Sequence, residues 1–428
     1  MPTERKEGAE PRRGVGPAGP EAQREQGVAL IAALVALVVL GTAAADFAYN
    51  TQVDLTSAVN ARDDLRAHYL SRSGVNLSQL LLRVQQRLID PNAKLLGGMD
   101  LQIADYAPLL VSAFNSKEGA EALGSLLGVE GGGIKGLGID MGSFDLKMES
   151  LDGKLNLNCG GGPSSTGAGG MRFAAALASL MLPPRYNRLF EQQDAKGQYA
   201  DRLEVMRAII DWADTDNAMF GTSAAEDYRY NAGKDPYEIK NNYYDTVEEL
   251  RLVKGVGDDF MAAFGRSLTV YGDCKVNVNL ASVPMMTALV LQFAGEGQEQ
   301  QLRPENLMLL ARLLKHIRSY FGGFADLKAF KQAVENPTVA AAAAFASGDE
   351  GDDQVRVNLP SVQGVKLKDE IKDAIVVGGP RRIWRVTATA KVGRVRRKIN
   401  AVWDMQYRSS QVKRHDMGPG AFLYWREE

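Results

Sequence analysis

Residues 28–45 read VALIAALVALVVLGTAAA, eighteen residues without a charge, ended by Asp46. As an α-helix they span about 27 Å, close to the ~30 Å hydrocarbon core of a bilayer. Arg5, Lys6, Arg12, Arg13 and Arg24 precede the run, and the next basic residue is Arg62. That asymmetry predicts a cytoplasmic N-terminus, a single pass, and the bulk of the chain on the far side. A secretory signal peptide cut near Ala45 and a plain membrane anchor are the ordinary alternatives, but the run exceeds the usual ~7–15-residue signal core. Outside it the composition is that of a folding chain: 428 residues, 45% hydrophobic, 24% charged, formal net charge −2. At ~100–200 residues per domain, two to four domains are expected. The near-neutral charge gives no global case for nucleic acid. Two cysteines exclude a disulfide-dense scaffold and a multi-cysteine zinc fold, and His68, His316 and His415 are scattered.

The helical pattern continues past the apolar run. Residues 48–89 contain no proline and one glycine, Gly74, before Pro91. Val53, Val59, Leu65, Tyr69, Val75, Leu80, Leu82 and Leu88 recur at roughly helical spacing. One long helix is predicted, apolar in its first third and amphipathic afterwards. A polar leader ending in Gly27, an uncharged aliphatic run and a long amphipathic helix resemble type IV pilins and type II secretion pseudopilins. In those families a prepilin peptidase cuts after the glycine and methylates the new N-terminus. The matching bond here joins Gly27 to Val28. Most members carry glutamate at the fifth mature position, where this chain has Ala32. In that absence, and in the stretch GVALIAALVALVVL, the chain resembles the minor pseudopilin family called general secretion pathway protein K. A carboxylate buried in a helix bundle is costly unless it meets a neighbour's N-terminal amine. A subunit with nothing above it has no such amine to meet, so Ala32 fits the tip position that the resemblance implies.

Four further segments carry the resemblance across most of residues 22–284: DGKLNLN (152–158), DWADTDNAMFGTSAAED (211–227), DTVEELRLVKGVG (245–257) and YGDCKVNVNLASVP (271–284). DGKLNLN, DCKVNVN (273–279) and DQVRVNL (353–359) alternate with period two and read as strands opened by turns, or as edges where a helical insertion joins a sheet. Cys159 follows the first and Cys274 lies in the second. In an oxidising compartment they pair if those strands lie together, and otherwise stay buried thiols. Asp211, Asp214, Asp216, Asn217, Glu226 and Asp227 crowd oxygen ligands into one short span. Calcium takes ~6–8 oxygens, and Asp214-x-Asp216 resembles the start of an EF-hand loop. Met219 and Ala225 then stand where that loop needs glycine and glutamate. A solvated acidic loop is the ordinary reading. The resemblance implies calcium instead, with Asp214, Asp216, Glu226 and Asp227 as the expected ligands and Trp212 filling core beneath them.

Residues 250–265, LRLVKGVGDDFMAAFG, read as helix, Gly-x-Gly turn and helix. Such hairpins bind nucleic-acid phosphate at the second helix's N-terminus. Here Asp258 and Asp259 occupy that end and repel phosphate, so the sterile-alpha-like packing implied by the family is the stronger reading. Gly131, Gly133 and Gly136 spell a dinucleotide fingerprint without its strand–helix context; the glycine clusters at 131–138 and 160–170 read as loops. Residues 305–334 read as helix. Residues 383–390 and 394–403 read as a hairpin around Val392-Gly393, with Trp384 and Trp403 on its apolar face and Arg394, Arg396 and Lys398 on a solvated one. No catalytic constellation emerges, so an assembly component rather than an enzyme is expected.

The expected fold is α+β: a type IV pilin-like long N-terminal helix plus an antiparallel sheet, with a large inserted helical (SAM-like) domain. The expected divisions are a removed leader (1–27), a transmembrane and filament-core helix (28–48), its amphipathic continuation (49–90), the first part of the pilin-like domain (91–174), the helical insertion (175–345) and C-terminal strands (346–428). The resemblance implies a minor pseudopilin at the tip of the type II secretion pseudopilus that starts and caps assembly. It implies minor pseudopilins I and J, the major pseudopilin, the inner-membrane assembly platform and prepilin peptidase as partners. It places the chain in the bacterial inner membrane with a periplasmic globular part. The alternatives are a minor pilin of a type IV pilus and a membrane-anchored periplasmic DNA-binding protein using the hairpin near Gly255.

Overall fold

A computed structural model describes residues 20–92, 102–116, 118–119, 142–161, 167–191, 201–226, 230, 235–346, 362–379, 381–407 and 420–428. Helix α1 (Pro20–Val84) opens on a proline, tolerated there because a first-turn N–H has no intrahelical partner. The chain divides after Arg66 into two compact units. In the first, residues 28–45 are exposed throughout, Leu37 to 70%. Among the described residues this is the one helix long and apolar enough to cross a bilayer, with a mean hydropathy of 2.7 in its most apolar window.

The second unit starts at Ala67 and holds a four-stranded antiparallel sheet. Its strands are β1 (Ser143–Ser150), β6 (Ile383–Val392), β7 (Val395–Asp404) and β8 (Ala421–Glu427), in the order β1-β6-β7-β8. Val392 faces Val395 across a two-residue turn whose Gly393 takes φ +57°, a conformation in which a side chain is penalised. Ala67, Val75 and Leu81 of α1 bury against Phe144, Leu146, Val386, Ala388, Ile399 and Ala401. Gly74 permits this approach: a Cβ there would stand 3.1 Å from the Ala388 Cβ. Trp384 faces Trp403 across the hairpin, and both join a small cluster with Leu82 and Met405. At its far end α1 loosens into a π turn, Gln85–Ile89. Helix α2 (Ala107–Asn115) follows, and Asn115 exchanges two hydrogen bonds with the Phe144 backbone, at 2.5 and 3.0 Å. These cover part of the open β1 edge.

Between β1 and β6 the chain builds two similar modules. The first runs β2 (Leu155–Asn156), α3 (Ala168–Met181), α4 (Asn187–Glu191), α5 (Arg202–Asp211), a 3-10 turn (Val247–Leu252), α6 (Asp258–Phe264) and β3 (Leu268–Thr269). The second runs β4 (Val276–Asn277), α7 (Val283–Gln292), α8 (Pro304–Phe321), α9 (Leu327–Glu335), α10 (Pro337–Ala346) and β5 (Ile375–Val376). Each brings its first and last strands together in parallel, Leu155 beside Leu268 and Val276 beside Ile375. One core runs through both, including Leu157, Ile209 and Tyr244 from the first and Met285, Leu310 and Phe330 from the second.

The matching sequences Lys154-Leu155-Asn156-Leu157-Asn158 and Lys275-Val276-Asn277-Val278-Asn279 do the same work in each module. Alternation predicts longer strands than the two-residue ones observed. The reason is local: the Asn156 side chain accepts from the Asn158 N–H at 3.1 Å, and that of Asn277 from the Asn279 N–H at 3.0 Å. Such side-chain bonds compete with the ladder and turn the chain. The second asparagine then clamps a distant aromatic residue by its backbone. Asn158 Oδ1 accepts from Tyr244 N at 2.7 Å while its amide donates to the carbonyls of Tyr244 and Val270, at 3.1 and 3.0 Å. Asn279 Oδ1 accepts from Phe324 N at 2.8 Å and its amide donates to the Phe324 carbonyl at 3.0 Å. Two residues beyond each aromatic residue comes a helical N-cap, Thr246 or Asp326. Residues 305–334 are two helices rather than the one predicted, because Gly322 and Gly323 take φ +69° and +124°. The predicted third strand, 353–359, lies outside the described residues, as does the glycine cluster at 131–138.

Candidate metal centre

Helix α5 is capped by Asp201, whose side chain accepts from Glu204 N at 2.8 Å, and it ends on Asp211. Asp211 Oδ1 accepts from Phe220 N at 2.8 Å, so the helix end fixes the loop that follows. That loop doubles back. Ala218 bridges Ala225, Met219 N donates to Ala224 O at 2.8 Å, and Gly221 turns the chain at φ +76°. Glu226 N donates to Asn217 O at 3.3 Å, which returns Glu226 to the start of the loop. The result is a cluster of three carboxylates, Asp211, Asp214 and Glu226, with ligand oxygens within 4.8 Å of one another. Asn241 pins the loop from outside, donating to Asp216 O at 3.0 Å and Asn217 Oδ1 at 2.9 Å.

The electrostatics are unfavourable without a cation. Asp211 and Asp214 are buried and Glu226 is half-buried. Asp214 Oδ1, both Glu226 oxygens and Asn241 Oδ1 are shielded from solvent and have no hydrogen-bond partner among the described residues. Burial, with the charges of Asp211, Asp216 and Glu226, pushes the Asp214 carboxyl up to about 8. Burial, with Asp211 and Asp216, pushes Glu226 up to about 7. Unpartnered buried oxygens are expensive, and an all-oxygen donor set suits a hard cation. The residues present therefore fit a metal ion.

Of the ligands expected from sequence, Asp214 and Glu226 come together here. Asp216 is exposed, and its Oδ1 accepts from Ala218 N at 2.8 Å; it lies outside the three-carboxylate cluster. Asp227 lies outside the described residues. Asp211 is the third member of the cluster among the described residues; its spacing of three from Asp214 across a helix end was the available signal. Asn241 had no local signal, being brought in by its positive φ of 45° and its bonds to the loop. Trp212 is buried and meets Tyr230 and Tyr237 edge-on. Cys159 and Cys274 are joined in a disulfide, with Cα atoms 5.6 Å apart. Gly27, Val28 and Ala32 lie within α1. At the hairpin near Gly255, Asp258 pairs with Arg251, and α6 offers two acids at its start.

The sequence model of the family described as type II secretion system (T2SS), protein K, matches residues 153–273. That span is the first module, from the glycine before its first clamp to the aspartate before Cys274. The type II secretion system protein K of Aeromonas hydrophila is 24% identical over 273 residues, 64% of this chain and 72% of that protein. That of Pseudomonas aeruginosa is 24% identical over 274 residues, 64% of this chain and 71% of that protein. A crystal structure of the GspK-GspI-GspJ complex from the enterotoxigenic Escherichia coli type 2 secretion system aligns with 67% of this chain and 80% of its own, at 15% identity and a TM-score of 0.40. The chain is thus similar to the type II secretion system protein K family, whose sequence model covers the first module, residues 153–273.

Proposed function

We propose that the chain is the tip subunit of the pseudopilus, cut by prepilin peptidase between Gly27 and Val28 and held in the inner membrane by the helix that then begins at Val28. The observation that carries this reading is the uncharged, uncovered run 28–45 with Ala32 at its fifth position. An apolar stripe of that length is unsustainable in water and satisfied first by lipid, then by neighbouring helices in a filament. The globular part stands in the periplasm, as the positive charges before residue 28 direct. Its partners are the minor pseudopilins I and J, then the major pseudopilin and the assembly platform. In this reading the bulk of the two modules would hinder a further subunit above it, so that the chain starts and caps the filament. The metal is calcium, held by Asp211, Asp214 and Glu226 with Asn241 Oδ1. It neutralises the cluster and fastens the 217–226 hairpin to the end of α5.

Deletion of the gene tests the role. Secreted proteins are expected to accumulate in the periplasm while surface pili persist, with export restored by the wild-type chain. Loss of piliation with secretion intact would contradict the assignment.

A further inference from the structure

The sheet face away from α1 carries a row of side chains that the core does not use. Val386, Ala388, Ala390 and Val392 of β6 bury beneath α1, so Arg385, Thr387, Thr389 and Lys391 point the other way. Those positions run about 20 Å at ~3.4 Å per residue. On β1, Lys147 lies beside Thr387 and Glu149 beside Arg385. Near Arg385 the row passes beneath the hairpin of Val247–Leu252 and α6, and the two surfaces enclose a groove of about 750 Å³. Within it, Lys154 pairs with Glu149 at 2.7 Å and Arg251 with Asp258. That leaves Lys147 and Arg385 on the sheet wall and Arg266 on the hairpin wall, facing one further acid, Glu248. None of these three cations forms an ion pair among the described residues. Their field is felt locally: burial works to raise Glu149, yet Lys154, Arg385 and Lys147 hold its carboxyl below the ordinary value.

We propose that this groove binds an acidic polypeptide segment in extended form, through Lys147 and Arg385 on one wall and Arg266 on the other. The β6 row continues the contact to Lys391. Glutamate or aspartate at alternate positions of an extended ligand repeats every ~6.8 Å, the spacing of the β6 row itself. The acids interspersed in the groove suit spaced carboxylates and oppose the unbroken charge of a polyphosphate. The inference goes beyond the pseudopilin assignment and stands or falls without it.

Fluorescence anisotropy tests it on the full chain in detergent micelles. The probe is a fluorescein-labelled peptide of alternating glycine and glutamate, with glycine–glutamine and glycine–lysine peptides as controls. Only the glutamate peptide is expected to bind saturably, and to release as salt shortens the screening length. The double substitution Lys147→Glu with Arg385→Glu should weaken it at least about tenfold, as should Arg266→Glu alone on the opposite wall. Lys315→Glu, on the exposed face of α8, should leave it unchanged. If the double variant melts early, Arg266→Glu carries the test. Absence of saturable binding at low salt would overturn the proposal. So would affinity unchanged by reversing either wall in a variant of parental melting temperature. Displacement of the peptide by a tighter-binding single-stranded oligonucleotide of equal charge would also overturn it.

Discussion

The two modules share one clamp and differ in how the chain reaches it. In the second, α8 ends at Phe321, and only Gly322 and Gly323 separate it from the clamped Phe324. In the first, α5 ends at Asp211, and residues 212–243 intervene before the clamped Tyr244. Packing does not demand the longer path, since its sister manages with two glycines. The acidic loop is an addition to a module that closes without one, and its buried carboxylates cost rather than supply core stability. That difference is the strongest structural reason to read Asp211, Asp214 and Glu226 as a binding site. A second difference sits where the two repeats touch, with Asn277 N donating to Asp152 O at 2.7 Å. By alignment of the repeats, Cys159 matches Leu280 and Cys274 matches Gly153. One end of the contact is covalent, the Cys159–Cys274 bridge. At the other end Gly153 lies so close to Leu280 that any side chain would collide with its backbone.

Removing the covalent end should have the largest effect. The bridge closes a loop with a sequence separation of 115, which in the chain-entropy view is worth about 4–5 kcal/mol. Replacing both Cys159 and Cys274 by serine should lower the calorimetric melting temperature markedly. Reduction should do the same to the wild type and nothing further to the variant. An unchanged melting temperature would show that the non-covalent contact at Gly153 and Leu280 holds the repeats alone.

The clamps come next. Asn158→Ala leaves Tyr244 N, Tyr244 O and Val270 O without partners, and Asn279→Ala leaves Phe324 N and O. Buried groups stranded this way cost about 1–3 kcal/mol each when water cannot replace the bond. Both variants should unfold at lower denaturant, Asn158→Ala by more. Equal losses would place the extra bond to Val270 outside the energetics, and no loss in either would remove the clamp as the shared device.

Much of this was legible in the sequence, and the misses have physical causes. Helix α1 and the β6–β7 hairpin follow from period and length, with Pro91 and Gly393 as punctuation. The acidic loop was visible as composition. Its geometry was not, because Glu226 reaches Asp211 only through the 217–226 hairpin, and Asn241 approaches from further along the chain. The repeated Lys-Φ-Asn-Φ-Asn segments were visible as alternation and over-read as strands. What they do depends on asparagine side chains bonding to residues 45 and 86 positions away, which no local pattern reports.

Metal removal should separate the modules more gently. A ligand present at 100 times its dissociation constant stabilises by about 2.7 kcal/mol. Chelation should lower the melting temperature by a corresponding amount and expose the loop after Asp211 to protease, sparing the second module. Asp214→Asn should abolish the response to added calcium. The pH dependence has a definite sign. Asp214 and Glu226 are raised to about 8 and about 7 in the metal-free fold, so the folded chain keeps protons that the unfolded chain has released. Their contribution is fully present below the ordinary carboxylate range and is lost as pH climbs through 7 and 8. Metal-free protein should therefore melt lower at pH 8 than at pH 5 in this loop, and calcium should stabilise most at pH 8, where protons no longer compete. Equal calcium shifts at both pH values would mean that the cluster is not the binding site.

The pseudopilin account meets its most direct test at the other end of the chain. Full-length protein in membranes is incubated with prepilin peptidase, and its new N-terminus is sequenced and weighed. The expected product begins with N-methylated Val28. An intact bond between Gly27 and Val28, or a cut near Ala45, would contradict the account.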